Sequence, residues 1–527
     1  MSLPPEPKSS PLVQTLRWSF RPLPFMQENR EKYGDNFSVK FLTFERPMVM
    51  ISDPAAIKAL YMERSHGLPP GRDIILTPIV GPRSLLVTEG ADHLAHRKLM
   101  LPPFHGERMR SYQPLVEEIV DREIDSWPLG EEFPIHPRMQ AITLEVILKV
   151  VFGVADGPRF ERLRSVLTRV LEETASPFAQ LAGLASRRFG GRGPWAKFEK
   201  QLKEADELLY AEIAEHRASG AYEEREDILS LMMQARFEDD ERRERIGGPL
   251  RSLLDAVGSR PRVLALALTA NRSGPLSPWR RFAAMRERAD ALLYEEIRSR
   301  RADPHGSEGD DIFSMLLAAR DPDGEPLTDS ELRDELMTLL LAGHETTATA
   351  LAWTFDLLLR HQGPMQRLRE SLEAGEEDYL RAVISESLRL RPVVPLAGRR
   401  LNADLETEDL HLPAGTDVTP AIWLAHTRAD VYPEPFAFRP ERFLEDGPDT
   451  YAWIPFGGGI RRCIGAAFAE FEMRIALREV LTRCELHKAS PAPEKIGRRN
   501  ITLSPRAGTP VLVSARHPAR ERDLVAA

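Results

Sequence analysis

The sequence predicts a mainly α protein with a small β region. Three observations carry that reading. Apolar residues recur at three- and four-residue steps over much of the chain, the mark of amphipathic helices. Runs rich in β-branched and aromatic residues are few and short, at 37–51, 410–419 and 501–513. Two cysteines in 527 residues supply no disulfide framework, so a large apolar core must hold the chain.

The elements follow in order. Residues 1–22 hold five prolines and are expected to run irregularly over the surface, with helical spacing from about Phe25. Residues 37–51 read as a strand pair. Asp53 followed by Pro54 is an N-cap with proline at the first helical position. Four prolines and three glycines between 67 and 86 predict loop. His93 and Arg97, four apart, share one face of the next helix. Residues 142–152 form an apolar helix, broken by the glycines at 153 and 157. A further helix starts at Asp329, and another spans 379–390. Residues 410–419, around Pro413-Ala414-Gly415, read as a hairpin. Residues 501–505 and 510–513 read as a last β pair, and the charged final ten residues as a loose end.

Charge and termini narrow the function. Lys plus Arg is 71 and Asp plus Glu is 80, a net charge of −9, which gives no footprint for nucleic acid. The first residues lack a basic-then-apolar signal pattern. No apolar run approaches the ~20 residues of a membrane span. Few cysteines suit a reducing compartment, so a soluble cytoplasmic protein is expected.

The chemistry is concentrated at residues 456–465, Phe-Gly-Gly-Gly-Ile-Arg-Arg-Cys-Ile-Gly. Gly457, Gly458 and Gly459 allow tight backbone conformations and a close approach to a flat ligand. After Gly465, Phe468, Phe471 and Ile475 recur at helical steps. Cys463 therefore stands just before a helix, where unpaired N–H groups and the positive dipole end favour thiolate. Arg461 and Arg462 add positive charge. Thiolate is the metal-binding form and a recognised axial ligand of haem iron. Cys484 lacks such flanks and reads as a packing residue.

Phe456, Gly459, Arg461, Cys463 and Gly465, spaced Phe-x-x-Gly-x-Arg-x-Cys-x-Gly, resemble the haem-binding loop of the cytochrome P450 family, in its soluble bacterial form. The resemblance runs from about residue 25 to 515, in the family's motif order. It implies a mostly helical fold forming one haem-thiolate domain over 1–527, and haem b with Cys463 as axial ligand. It implies that His93 and Arg97 contact the haem propionates, with Arg399 reaching one and Arg400 a second candidate. Val394 and Leu396 would border the substrate.

Two further patterns gain meaning from it. The helix from Asp329 carries Ala342-Gly343-His344-Glu345-Thr346-Thr347, and a buried carboxylate costs several kcal/mol unless partnered. A threonine there can simply bond the preceding turn. The resemblance implies that the small residue and glycine leave room for dioxygen, while Glu345 and Thr346 relay protons. Glu386 and Arg389, three apart, would alone be a surface pair worth about 0–1 kcal/mol. The resemblance implies a buried structural triad completed by Arg442.

The implied activity is insertion of one oxygen atom from dioxygen into a lipophilic small molecule such as a fatty acid, terpenoid or polyketide, by hydroxylation or epoxidation. The rivals are a haem-thiolate isomerase, dehydratase or peroxide-using enzyme, and a non-enzymatic haem sensor or carrier. The acid–alcohol pair argues for the first. No flavin fingerprint or cysteine cluster is present, so electrons are expected from a ferredoxin or flavodoxin with its reductase. Arg97, Lys98, Arg461, Arg462 and Arg474 are expected near the proximal face, as a landing patch for an acidic donor.

The chain also repeats itself. Pro194-Trp195 recurs as Pro278-Trp279, Tyr210 as Tyr294 and Asp227-Ile228 as Asp311-Ile312, always 84 residues apart. Residues 194–236 match 278–320 at 18 of 43 positions without a gap. This predicts a tandem duplication of the helical segment over the distal pocket, with copies at about 158–241 and 242–325. The family carries that segment once.

Overall fold

The computed structural model describes residues 3–151, residue 157 and residues 328–519, apart from short gaps between 43 and 106 and at 446 and 500. The duplicated segment at 158–325 lies outside the described residues.

The N-terminal stretch is more ordered than its prolines suggest. Helix α1 (Pro11–Phe20) is capped by Ser10, and α2 (Pro22–Tyr33) follows at once. Pro11 and Pro22 each occupy the first helical position, where the missing N–H costs nothing and the fixed φ helps. Only Pro4, Pro5 and Pro7 lie in irregular chain. Strands β1 (Asn36–Val39) and β2 (Met48–Ile51) pair antiparallel, as expected. Helix α3 (Pro54–Met62) starts where the Asp53 carboxylate accepts the N–H of Ala56 at 2.8 Å.

Helix α4 (Gly90–Met100) carries His93 and Arg97. After α5 (Glu107–Ser111) and α6 (Gln113–Asp125), β3 (Glu132–Pro134) leads into α7 (Ile135–Val146). The α7 helix begins earlier than its apolar run indicates and continues as a π-helical turn, Ile147–Val151. Helix α8 (Asp329–Arg360) has 32 residues, about 48 Å at 1.5 Å per residue. Thr328 and Glu331 form a reciprocal capping box at its start. The first turns of α8 are tied to α4 and the loop before it. Asp334 accepts the N–H of Arg83 at 2.8 Å, and His96 Nδ1 lies 2.9 Å from Glu335. Helix α9 (Gln362–Glu373), α10 (Asp378–Leu390), the short α11 (Ile422–His426) and α12 (Ala466–Arg483) complete the helices among the described residues. The main core lies between α6, α7, α8, α10 and α12.

The β region departs from two expectations. Residues 410–419 do not fold back on themselves. Strand β6 (His411–Leu412) pairs with β5 (Leu405–Glu406), while β7 (Asp417–Pro420) runs parallel to β2 and antiparallel to β4 (Arg399–Arg400). The Pro413–Gly415 turn therefore hands the chain from one sheet to another. Likewise β10 (Thr502–Pro505) pairs with β9 (Ile496–Arg499), and β11 (Pro510–Arg516) pairs with β3 and with β8 (Cys484–Lys488). A turn signal identifies a bend in the chain, but strand partners are set by apolar burial far along the sequence. Cys484 is buried at the start of β8, as a packing residue.

Candidate active site

The loop before α12 is tightly wound. The N–H of Cys463 donates to the carbonyl of Phe456 at 2.9 Å, closing the turn around the Gly459–Arg461 3₁₀ segment. Gly457 and Gly459 sit at φ +67° and +64°, where a side chain would be strained. At 458, and at 459 in addition to its backbone conformation, glycine is also required by a neighbour. A Cβ at 458 would stand 2.3 Å from the Tyr61 ring, and one at 459 would stand 2.7 Å from the Tyr61 carbonyl. These two glycines make room for the end of α3. Gly465, by contrast, faces open space.

Cys463 is exposed at the surface of the described chain, with protein crowding around it. Burial pushes its thiol up, and the Gly465 N–H and the charges of Arg97 and Arg462 pull the other way. The Phe456 ring packs edge-on against Trp453.

The cations around the loop divide into tied and untied. Arg400 is clamped by Asp417 through two bonds of 2.8 and 2.9 Å, which removes it as a candidate. Arg399, 3% exposed, gives Nη1 to the carbonyls of Ala397 and Gly398. Its Nε has no acceptor among the described residues, and no carboxylate pairs with it. Burial lowers its pKa, and that of Arg97, where the Cys463 charge opposes the shift. Arg461 donates to the Thr88 carbonyl. His93 is buried between the carbonyls of Leu85 (3.1 Å) and Ile460 (3.2 Å). Burial and the neighbouring Arg461 drive its pKa down to about 4, so the neutral ring can donate to only one of them. Of the expected landing patch, Arg474 is paired with Glu377 at 2.7 Å, while Arg462 is exposed.

On α8 the signature residues point in different directions. Ala342 is exposed in mid-helix, and Thr346 Oγ1 donates to its carbonyl one turn back. The glycine serves packing: a Cβ at Gly343 would come within 3.0 Å of Ile147 on the π turn. Of the two small residues, Ala342 is the exposed one. Glu345 turns away from Thr346. It accepts from Gln140 at 2.6 Å, pairs with Arg499 at 3.3 Å and lies 3.8 Å from His136. Burial raises its pKa, while Arg499 and then Gln140 hold it down. Sequence inspection missed Gln140 and Arg499, which come from α7 and β9 and carry no local pattern.

The triad is assembled as expected. Glu386 and Arg389 are both 0% exposed. Arg389 Nε and Nη2 bind the two carboxylate oxygens at 2.6 and 2.8 Å, and Arg442 Nε adds a third bond at 3.1 Å. Arg389 Nη1 reaches the carbonyls of His426 and Pro435. Val394 packs on the main core and Leu396 on the N-terminal cluster.

An accessible thiol at a helix start, an open glycine beside it and buried unpaired donors nearby fit a flat iron-bearing ligand with anionic groups. Comparisons agree. The cytochrome P450 family model matches residues 4–247 and 253–509. The protein provisionally named cytochrome P450 135B1 of Mycobacterium tuberculosis is 34% identical over 522 residues, covering 98% of this chain and 92% of its own. Cytochrome P450 137 of the same organism, also provisionally named, is 32% identical over 481 residues, covering 91% and 83%. Among solved structures, retinoic acid bound cyanobacterial CYP120A1 superposes with a TM-score of 0.65 at 22% identity, covering 98% of this chain and 100% of that one. The cytochrome P450DA heme domain gives 0.68 at 21%, with 98% of each covered. The chain belongs to the cytochrome P450 family, and with it to the haem-binding monooxygenases. Among the described residues no helix is long and apolar enough to cross a membrane.

Proposed function

We propose that this chain inserts one oxygen atom from dioxygen into a lipophilic small molecule, by hydroxylation or epoxidation, with electrons from a separate ferredoxin or flavodoxin and its reductase. The observation that carries the reading is the accessible Cys463 thiol on a loop closed onto Phe456, beside Gly465 and below the N-terminus of α12. Cys463 is the axial ligand of haem b, and the Gly465 N–H, Arg97 and Arg462 stabilise its negative charge. Haem supplies the redox chemistry that activates dioxygen, one atom going to the substrate and the other leaving as water.

The chain's own residues handle the protons. The Thr346 hydroxyl has spent its hydrogen on the Ala342 carbonyl, so its oxygen remains an acceptor facing the open side of α8. Glu345 is set up as a proton carrier: burial favours its neutral form and Arg499 its charged form. Arg499 is itself part-exposed and links the carboxyl to the outside. Arg97, Arg399 and Arg461 serve the haem carboxylates; His93, neutral and held between the carbonyls of Leu85 and Ile460, has no N–H to spare for one and instead braces the cysteine loop at Ile460. Phe456 and Gly465 shape the loop, and Glu386, Arg389 and Arg442 hold the proximal segment in place.

Two variants of the intact protein test the reading. The reduced, CO-bound protein should show the red-shifted band of a thiolate ligand. Cys463→His should lose it and Cys484→Ser should keep it, and a thiolate band surviving in Cys463→His would remove the ligand assignment. Thr346→Ala should still consume oxygen in the presence of substrate but release more peroxide and less product. A product-to-oxygen ratio equal to that of wild type would reduce Thr346 to a helix back-bond.

A further inference from the structure

Tyr61 is buried, aromatic and assigned no role by any sequence motif. It stands near the end of α3, 5% exposed, with its ring against Gly458. Its phenol oxygen is shut off from solvent and has no hydrogen-bond partner among the described residues. A buried hydroxyl left so costs about 1–3 kcal/mol, and folded proteins rarely tolerate one without a ligand or water. The position of that oxygen is informative: a Cβ on Gly457 would be 3.9 Å from it, so it lies at the edge of the cysteine loop. Burial pushes the phenol up to about 12, against the pull of the Arg399 charge, so at neutral pH it keeps its proton and can donate. Tyr61 belongs to the apolar cluster against which Ala397, two residues before Arg399, packs, and Arg399 is the buried guanidinium whose Nε lacks an acceptor among the described residues. Among the described residues, neither of these buried donors has an anionic partner.

We propose that Tyr61 Oη and Arg399 Nε together bind one carboxylate of the porphyrin. The inference rests on the reading of Cys463 as the haem ligand. A carboxylate accepts both bonds at once, satisfies both orphaned donors and neutralises the guanidinium. The arrangement also explains the glycines. Gly458 and Gly459 are small so that α3 can press its last turn onto the loop, which is what brings the Tyr61 hydroxyl to the edge of the site. A tyrosine held only for packing would need the ring and not the hydroxyl.

The test is haem transfer from the holoprotein to excess apomyoglobin. Tyr61→Phe keeps the ring that fills the space over Gly458 and removes only the hydroxyl. Its haem should leave about tenfold faster than that of wild type, the size of one hydrogen bond to a charged group. The comparison is repeated after loading both proteins with iron protoporphyrin dimethyl ester, whose carboxylates are masked. Wild type and Tyr61→Phe should then release the pigment at the same rate. Equal rates with ordinary haem would overturn the proposal, as would a faster release that persists unchanged with the diester, since that would be a packing effect. Failure of the underlying haem reading would show separately, as absence of the thiolate band in the wild-type protein.

Discussion

Two buried glutamates on neighbouring helices meet opposite surroundings. Glu386 on α10 receives both arms of Arg389, the N–H of Arg439 at 2.8 Å and Arg442. Glu472 on α12 is 2% exposed, bonds Thr347 of α8, and leaves Oε1 without a partner among the described residues. No cation shifts Glu472, and burial pushes its pKa well above the usual carboxylate range. The first glutamate is a hub of ion pairs and hydrogen bonds; the second is a carboxyl whose burial favours the protonated form and which links α12 to α8 through Thr347. Tyr61 and Arg399 supply a third case, donors buried without an acceptor. An unpaired buried acceptor such as Glu472 can be relieved by protonation, whereas unpaired buried donors beside the cysteine loop can be relieved only by an acceptor.

The sharpest way to break this contrast is at Glu386. Glu386→Ala leaves Arg389 buried at full charge with its two best bonds gone. Breaking a buried pair from one side costs about 3–5 kcal/mol. Little folded, haem-loaded protein should be recovered, measured as haem absorbance per mole of purified chain. Normal haem incorporation in Glu386→Ala would mean that the triad is dispensable.

Legibility in the sequence followed locality. The start of α8 at Asp329 matches the sequence reading, and its capping box, Thr328 with Glu331, is local, lying within four residues. Cys463 and its loop were readable because five informative positions fall within ten residues. The Glu386–Arg389 spacing gave a shared helix face; Arg442, 53 residues beyond Arg389 (442 minus 389), followed from the resemblance to the family and not from spacing, and the fold sets it against Glu386. Tyr61, Gln140 and Arg499 were invisible because each meets its site through a contact spanning far more of the chain, such as Gln140 with Glu345. The β partners failed for the same reason: the Pro413-Ala414-Gly415 signal reports a turn and says nothing about which sheet receives each arm. That Gly343 is also needed for close packing shows only in the fold, through its neighbour Ile147 from another helix.

Glu472 offers a subtler test, in which removing a charge-capable group should help. Its folded pKa is raised, so below the unfolded carboxylate pKa of about 4.3 both states are protonated and the folded state pays no penalty. As pH rises past that value the unfolded chain ionises first, and stability is lost progressively up to the folded pKa. Glu472→Gln cannot ionise and can still bond Thr347. It should melt at the wild-type temperature at pH 4 and about 1–3 °C higher at pH 8, by calorimetry. A variant less stable than wild type at pH 8 would show that Glu472 is charged and paired in the fold.

The smallest expected effect concerns the electron donor, and it separates two arginines that sequence treated alike. Arg474 is paired with Glu377 at 2.7 Å, a carboxylate it shares with Arg478 at 3.0 Å, so its field is partly offset. Arg462, next to Cys463, is exposed and forms no ion pair among the described residues. Charge steering acts through net local potential, so an acidic ferredoxin should sense Arg462 and hardly sense Arg474. Arg462→Glu should slow reduction by such a donor several-fold at low ionic strength, as measured by stopped-flow formation of the CO complex. The difference should shrink towards zero near 0.5 M salt, where the screening length falls to about 4 Å. Arg474→Gln should stay close to wild type at both ionic strengths. Equal and salt-independent effects of the two variants would mean that the donor docks elsewhere or without charge steering.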